Sequence, residues 1–149
     1  MNSFVHSFLS TPHSSVLLVL RVVLGLVLFP HGAQKLLGWF GGYGFTATMQ
    51  YFTQVVNLPW FIGLLVILLE FFGALFLILG FATRLTALGV IALMIGAAVL
   101  VCLPNGFFMN WTGSQKGEGI EYHLLVIGMA LPLVWQGAGA LSIDSLLSR

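Results

Sequence analysis

Polar side chains are scarce in this chain, and those able to do chemistry fall into two groups. The first starts at His31-Gly-Ala-Gln-Lys35. His31 and Lys35 are four residues apart and share a face if the helix continues past Pro30, with Gln34 beside them. Glu121 opens a later apolar segment at about the same depth, with Tyr122 and His123 next to it and Glu118 four residues before Tyr122. An acidic residue there also suits the positive end of a helix dipole. His31, Gln34, Lys35, Asn105, Glu121 and Tyr122 thus make an outer polar ring, rimmed by Trp39, Phe107 and Trp111. The ring has two readings: a network that satisfies loop backbone and lipid headgroups, or a ligand pocket between helix ends. In a pocket, His31, Lys35 or Tyr122 could donate hydrogen bonds, and Trp39 or Phe107 could offer a stacking face.

The second group is Arg21 and Glu70, each set in apolar sequence. A lone ionised group at the centre of a bilayer costs at least about 2.5–3.5 kcal/mol. Antiparallel packing of their helices would place Arg21 roughly four residues, about 6 Å of rise, from the depth of Glu70. The two then form an intramembrane pair that fixes helix register, or Glu70 serves as a proton site or hydrogen-bonds a bound molecule. Glu70 and Glu121 are the side chains able to exchange protons with a bound molecule.

Other chemistries find less support. His31, Glu121 and His123 could ligate a metal, but no His-x-x-His or Cys-x-x-Cys spacing exists and no metal site is expected. The single Cys102 excludes an internal disulfide or dithiol pair, and in its apolar run it reads as a buried small hydrophobe. The glycines at 38–44 follow no strand, so they are not a phosphate loop. His6 and His13 lie in a polar tail and carry no signal.

The elements that position these residues belong to a membrane. Of 149 residues, 59% are hydrophobic and only 6% charged, and mean hydropathy is +1.07. A soluble domain carries about 25% charged residues. Residues 1–149 therefore read as a single integral membrane domain, and a net charge of +1 offers nothing to nucleic acid. Spans are predicted at about 16–34, 58–82, 85–103 and 121–137, against the roughly 20 residues a helix needs to cross. The first and fourth are short and must recruit flanking residues or thin the bilayer. Between the first two lies Leu36–Asn57, with Gly38, Gly41, Gly42 and Gly44 for unusual backbone angles and Trp39, Phe40, Tyr43 and Phe45 for the headgroup layer. Within it Thr46–Val56 predicts a short interfacial helix with Met49, Phe52, Thr53 and Val56 on one face. The fold class is all-α: a four-transmembrane-helix bundle with an interfacial or re-entrant segment between its first two helices.

Gly89, Ala92 and Gly96 form a small-residue stripe that lets helices approach closely. Arg21, Arg84 and Arg149 fall on one side and Lys35 and Lys116 on the other, which places the termini in the cytoplasm and both aromatic loops outside. Residues 1–15 hold no Lys or Arg, and no small-x-small cleavage site follows, so the first helix is expected to be retained.

Fragments across nearly the whole chain combine into a recognisable pattern. They are Arg21-x-x-Leu-Gly25, Pro30-His-Gly-Ala-Gln-Lys35, Gly38-Trp-Phe-Gly-Gly42, Glu70-Phe-Phe-Gly73, Leu79-Gly-Phe-Ala-Thr-Arg84, Asn105-Gly-Phe-Phe-Met109, Gly119-Ile-Glu-Tyr122 and Ser142-Ile-Asp144. In this order they resemble the DoxX family. The resemblance implies a four-helix bacterial inner-membrane protein. Similar proteins include a subunit of a thiosulfate:quinone oxidoreductase, others linked to quinone or catechol stress, and others in membrane oxidoreductase complexes that handle thiols and oxidants.

The expected function is a membrane subunit of a redox system that binds a quinone or related small aromatic redox molecule near the outer membrane boundary. No cofactor is expected to be built in, so electrons would come from a redox partner subunit. Two alternatives stand beside it. One is a non-enzymatic scaffold or assembly subunit, which needs closed polar pairs and no pocket. The other is a small proton-coupled transporter working through Glu70, for which a homo-oligomer would enclose the water path. The expected partners are the lipid bilayer, a quinone, a redox subunit and a second copy of the chain.

Overall fold

A computed structural model describes residues 9–148, so His6 and Arg149 of the sequence reading lie outside the described residues. Numbered from Ser15, the helices are α1 (Ser15–Leu37), α2 (Gly44–Gln50, continued by a π-helical turn, Tyr51–Val55), α3 (Trp60–Leu79), α4 (Thr83–Asn105), α5 (Glu121–Gln136) and α6 (Ile143–Leu147). Helices α1, α3 and α4 are long and apolar enough to cross a membrane. Helix α5, at 16 residues, is shorter, and packs against α1 and α4.

Boundaries shift from the predicted ones for local reasons. The Ser14 side chain accepts from Leu17 N–H and starts α1, and Gly38 ends it with a positive φ of 74°. Helix α1 runs straight through Pro30, which apolar spans tolerate when neighbouring helices satisfy the freed backbone. Gly80 closes α3 with a φ of 67°, so residues 80–82 form the turn rather than the end of a span. The anticipated helix around Thr46–Val56 is present as α2 with its π-helical turn, and its Met49 and Phe52 are buried against Ile67 of α3.

Glycines set the register of α1 on α3. A Cβ at Gly25 would fall 2.7 Å from the Ala74 carbonyl oxygen, and one at Gly32 2.5 Å from the Glu70 backbone. These two positions let the backbones touch and align Gly32 with Glu70. Arg21 is carried to the far end, where a Cβ on Gly80 would meet its guanidinium carbon at 2.9 Å. Arg21 and Glu70 therefore sit about ten residues apart in depth, roughly 15 Å of rise, and of the two sequence readings the one in which they pair is excluded.

Arg21 is instead buried in a cage of carbonyls. Its Nε donates to Ala138 O at 2.9 Å, Nη1 to Leu77 O at 3.1 Å and to Ile78 O, and Nη2 to Ala140 O at 3.0 Å and Leu141 O at 2.7 Å. Five acceptors match the five N–H groups of a guanidinium. Leu77 and Ile78 lie in the last turn of α3, where Leu77 O also accepts from Gly80 N at 3.2 Å. Beside the cage, Asp144 accepts from Ala82 N at 2.7 Å and Thr83 N at 2.9 Å, capping α4. Ala82 and Leu141 both hold positive φ, 46° and 52°, and both are held in these contacts. Arg21 and Asp144 together fasten the 137–147 segment to the closed end of the bundle.

Candidate functional site

Helices α3 and α4 part company as they leave their turn. Near the turn they touch through Gly73 and Gly89, where an added Cβ would meet Thr86 Cγ2 at 3.3 Å and Leu69 at 3.1 Å. Beyond Leu69 the first half of α3 loses close packing with α4. The gap is a cavity of about 760 Å³. One wall is Ile62, Leu65, Val66 and Leu69 of α3; the other is Gly89, Ala92, Leu93, Gly96, Ala97 and Leu100 of α4. Leu65 and Leu100 are more than half exposed, so the cavity opens sideways, toward lipid.

The reading of the Gly89, Ala92, Gly96 stripe as a close-packing surface holds at Gly89, which packs on Leu69, and is corrected at its far end. A Cβ on Gly96 would have nothing within 4 Å. There the small residue leaves space instead of drawing a helix in.

One end of the cavity is polar. His31, Lys35, Glu70, Glu118, Tyr122 and His123 all line it, together with Cys102. Lys35 forms an ion pair with Glu70, which is buried on a π-helical turn, Leu69–Gly73. Such turns recur at functional sites because the extra residue re-aims a side chain. The His31 and Tyr122 rings stand 5.8 Å apart. The Tyr122 hydroxyl is buried with no hydrogen-bond partner among the described residues. An unpaired buried hydroxyl costs about 1–3 kcal/mol. At the same end Cys102 Sγ lies 3.8 Å from His123 Nε2.

The outer ring divides in two. His31, Lys35 and Tyr122 come together on the cavity. Gln34, Asn105 and Glu121 serve the loops. Gln34 Nε2 donates to Phe40 O at 3.1 Å, Asn105 Nδ2 to Glu118 O at 3.1 Å, and the Glu121 carboxylate accepts from Met109 N at 3.1 Å. Trp39, Phe107 and Trp111 are half or more exposed and do not line the cavity. Aromatic contact inside comes from Tyr51, Phe52 and Tyr122. Sequence reasoning placed His123 at this end, beside Tyr122, but not Glu70 or Cys102. Only the Gly25 and Gly32 spacing on α1 could have fixed the depth of Glu70.

A family model described as DoxX matches residues 16–103, more than half of the chain. The chain belongs to the DoxX family. The match takes in α1, α3 and α4, and with them both walls of the cavity. This DoxX chain is 33% identical over 132 residues to "Inner membrane protein YqjF" of Escherichia coli (strain K12), covering 89% of this chain and 92% of that one. It is 28% identical over 127 residues to "Putative oxidoreductase CatD" of Bacillus subtilis (strain 168), covering 85% and 83%. To "Inner membrane protein YphA" of Escherichia coli (strain K12) it is 26% identical over 148 residues, covering 97% and 99%. These alignments are long enough to extend beyond the family match into the second loop and α5. No solved structure matches the chain. The DoxX chain is a membrane protein of apolar helices in contact with lipid.

Proposed function

We propose that this protein is a bacterial inner-membrane subunit of a redox system, and that its cavity takes a quinone from the bilayer. The observation that carries this reading is the cavity itself, apolar along its length and polar at one end. A quinone needs flat apolar walls for its ring and tail and donors for its two carbonyl oxygens. The Tyr122 hydroxyl and the His31 imidazole are the donors at the polar end, and the Lys35–Glu70 pair can pass the proton that a reduced quinone oxygen takes up. Two relatives named as inner membrane proteins and one named as an oxidoreductase agree with this setting. Electrons would arrive from a partner subunit. In this reading α5 crosses with the three longer helices, the α2 segment lies at the interface, and the termini face the cytoplasm.

A titration of a short-tailed quinone into purified protein in lipid nanodiscs tests it. Saturable binding is expected. Tyr122→Phe should weaken it roughly tenfold, the equivalent of about 1.4 kcal/mol for one lost hydrogen bond, and His31→Ala by a similar factor. Glu121→Gln, at a loop position, should weaken it less than either. Wild-type protein that is folded and does not bind would defeat the proposal.

A further inference from the structure

Cys102 and His123 lie on different helices, 21 residues apart in sequence, with Sγ and Nε2 at 3.8 Å. Both are buried, 7% and 8% exposed, and both line the polar end of the cavity. His123 Nδ1 is buried with no hydrogen-bond partner among the described residues. Cys102 sits on a π-helical turn, Ala98–Cys102, at the end of α4. Resting on the quinone reading above, we propose that the pair is a covalent trap for quinones that carry an unsubstituted ring carbon.

The chemistry needs no other reactant. His123 Nε2 takes the thiol proton, and the thiolate is the nucleophile. Sulfur attacks a ring carbon conjugated to a carbonyl, the S–C bond forms, and the displaced C=C pair moves onto the carbonyl oxygen. That oxygen receives the proton held by His123. Loss of the ring C–H proton to the second oxygen restores aromaticity. The product is a thioether of the hydroquinone: the quinone is reduced, the sulfur is alkylated, and every proton stays in the system. Burial keeps this thiol from aqueous electrophiles, while the sideways opening admits ones that partition into lipid. A fully substituted quinone has no ring C–H and can bind in the cavity without being captured.

The test uses the full chain in nanodiscs with 2-methyl-1,4-benzoquinone, read by intact mass and peptide mapping. The expected result is a mass gain of one quinone at Cys102, at a rate that saturates with quinone concentration. Tetramethyl-1,4-benzoquinone should slow it by competition without adding mass. His123→Gln should slow it roughly 100-fold, the scale of a positioned general base. Should that variant misfold, saturation and competition on the wild-type chain still decide. A rate linear in quinone and indifferent to the competitor would overturn the trap, as would absence of adduct while tetramethyl-1,4-benzoquinone still binds. Absence of both adduct and binding would defeat the quinone reading with it.

Discussion

Gly96→Leu is expected to abolish quinone binding in a protein that folds at least as well as the wild type. A Cβ at Gly96 meets nothing within 4 Å, so the substitution displaces no neighbour. Replacing glycine inside a helix also gains about 0.8 kcal/mol of helix propensity. The leucine side chain enters the space between α3 and α4 that a ring or tail would occupy. Affinity should fall more than roughly 100-fold, or about 2.7 kcal/mol. Gly128→Leu is the control. It too has nothing within 4 Å, but it lies on α5 away from the cavity lining, and binding should stay as it was. Thermal melts of both variants, with the nanodisc titration, separate occlusion from misfolding. If Gly96→Leu binds like the wild type, the ligand is elsewhere.

The second large effect belongs to Arg21 and to stability. Arg21→Leu removes the donor for five carbonyls at once, among them those at the end of α3. Leu77 O keeps the Gly80 N–H, but each of the others, left without a partner, costs about 1–3 kcal/mol. The sum exceeds what a protein of ordinary stability, about 5–15 kcal/mol, can lose without consequence. Arg21→Leu should fail to accumulate as a monodisperse species in detergent. Arg21→Lys keeps the charge but has three donors on a flexible stem, and should fold with a clearly lowered melting temperature. Folded, wild-type-like Arg21→Leu would show that the 137–147 segment is held by something other than this cage.

The contrast between Arg21 and Glu70 explains what the sequence could and could not convey. Two ionisable groups in apolar segments are conspicuous, and each does hold a buried place. Their partners are set by register, which Gly25 and Gly32 fix by backbone contact rather than by charge. An offset of about ten residues, where about four was expected, turned a possible pair into two separate sites. Hydropathy made α1, α3 and α4 legible because long apolar runs have few other uses. The 104–121 loop is held by the carboxylates of Glu118 and Glu121, which accept from Asn110 N and Met109 N, so Glu121, read as a site candidate, became a support.

The cavity was half legible. Gly89, Ala92 and Gly96 announce that one helix face is small, but small side chains serve close packing and open space equally. The divergence of α3 from α4 decides between them, and no single residue marks it. The π-helical turns under Glu70 and Cys102 likewise leave no mark in composition. His31 and Lys35 needed α1 to continue past Pro30, and it does. Cys102 read as a small buried hydrophobe because its neighbour, His123, comes from another helix.

The claim that a quinone occupies the space between α3 and α4 is tested most directly by photo-crosslinking. A quinone bearing a photoreactive group on its tail is irradiated with the protein in nanodiscs, and labelled peptides are mapped with and without excess unlabelled quinone. The account predicts competed labels on residues 89–101 of α4 and 60–69 of α3, and their loss in Gly96→Leu. Labels confined to the exposed lipid-facing positions, such as Val16, Val19, Leu124 and Leu125, and unaffected by competitor would contradict it.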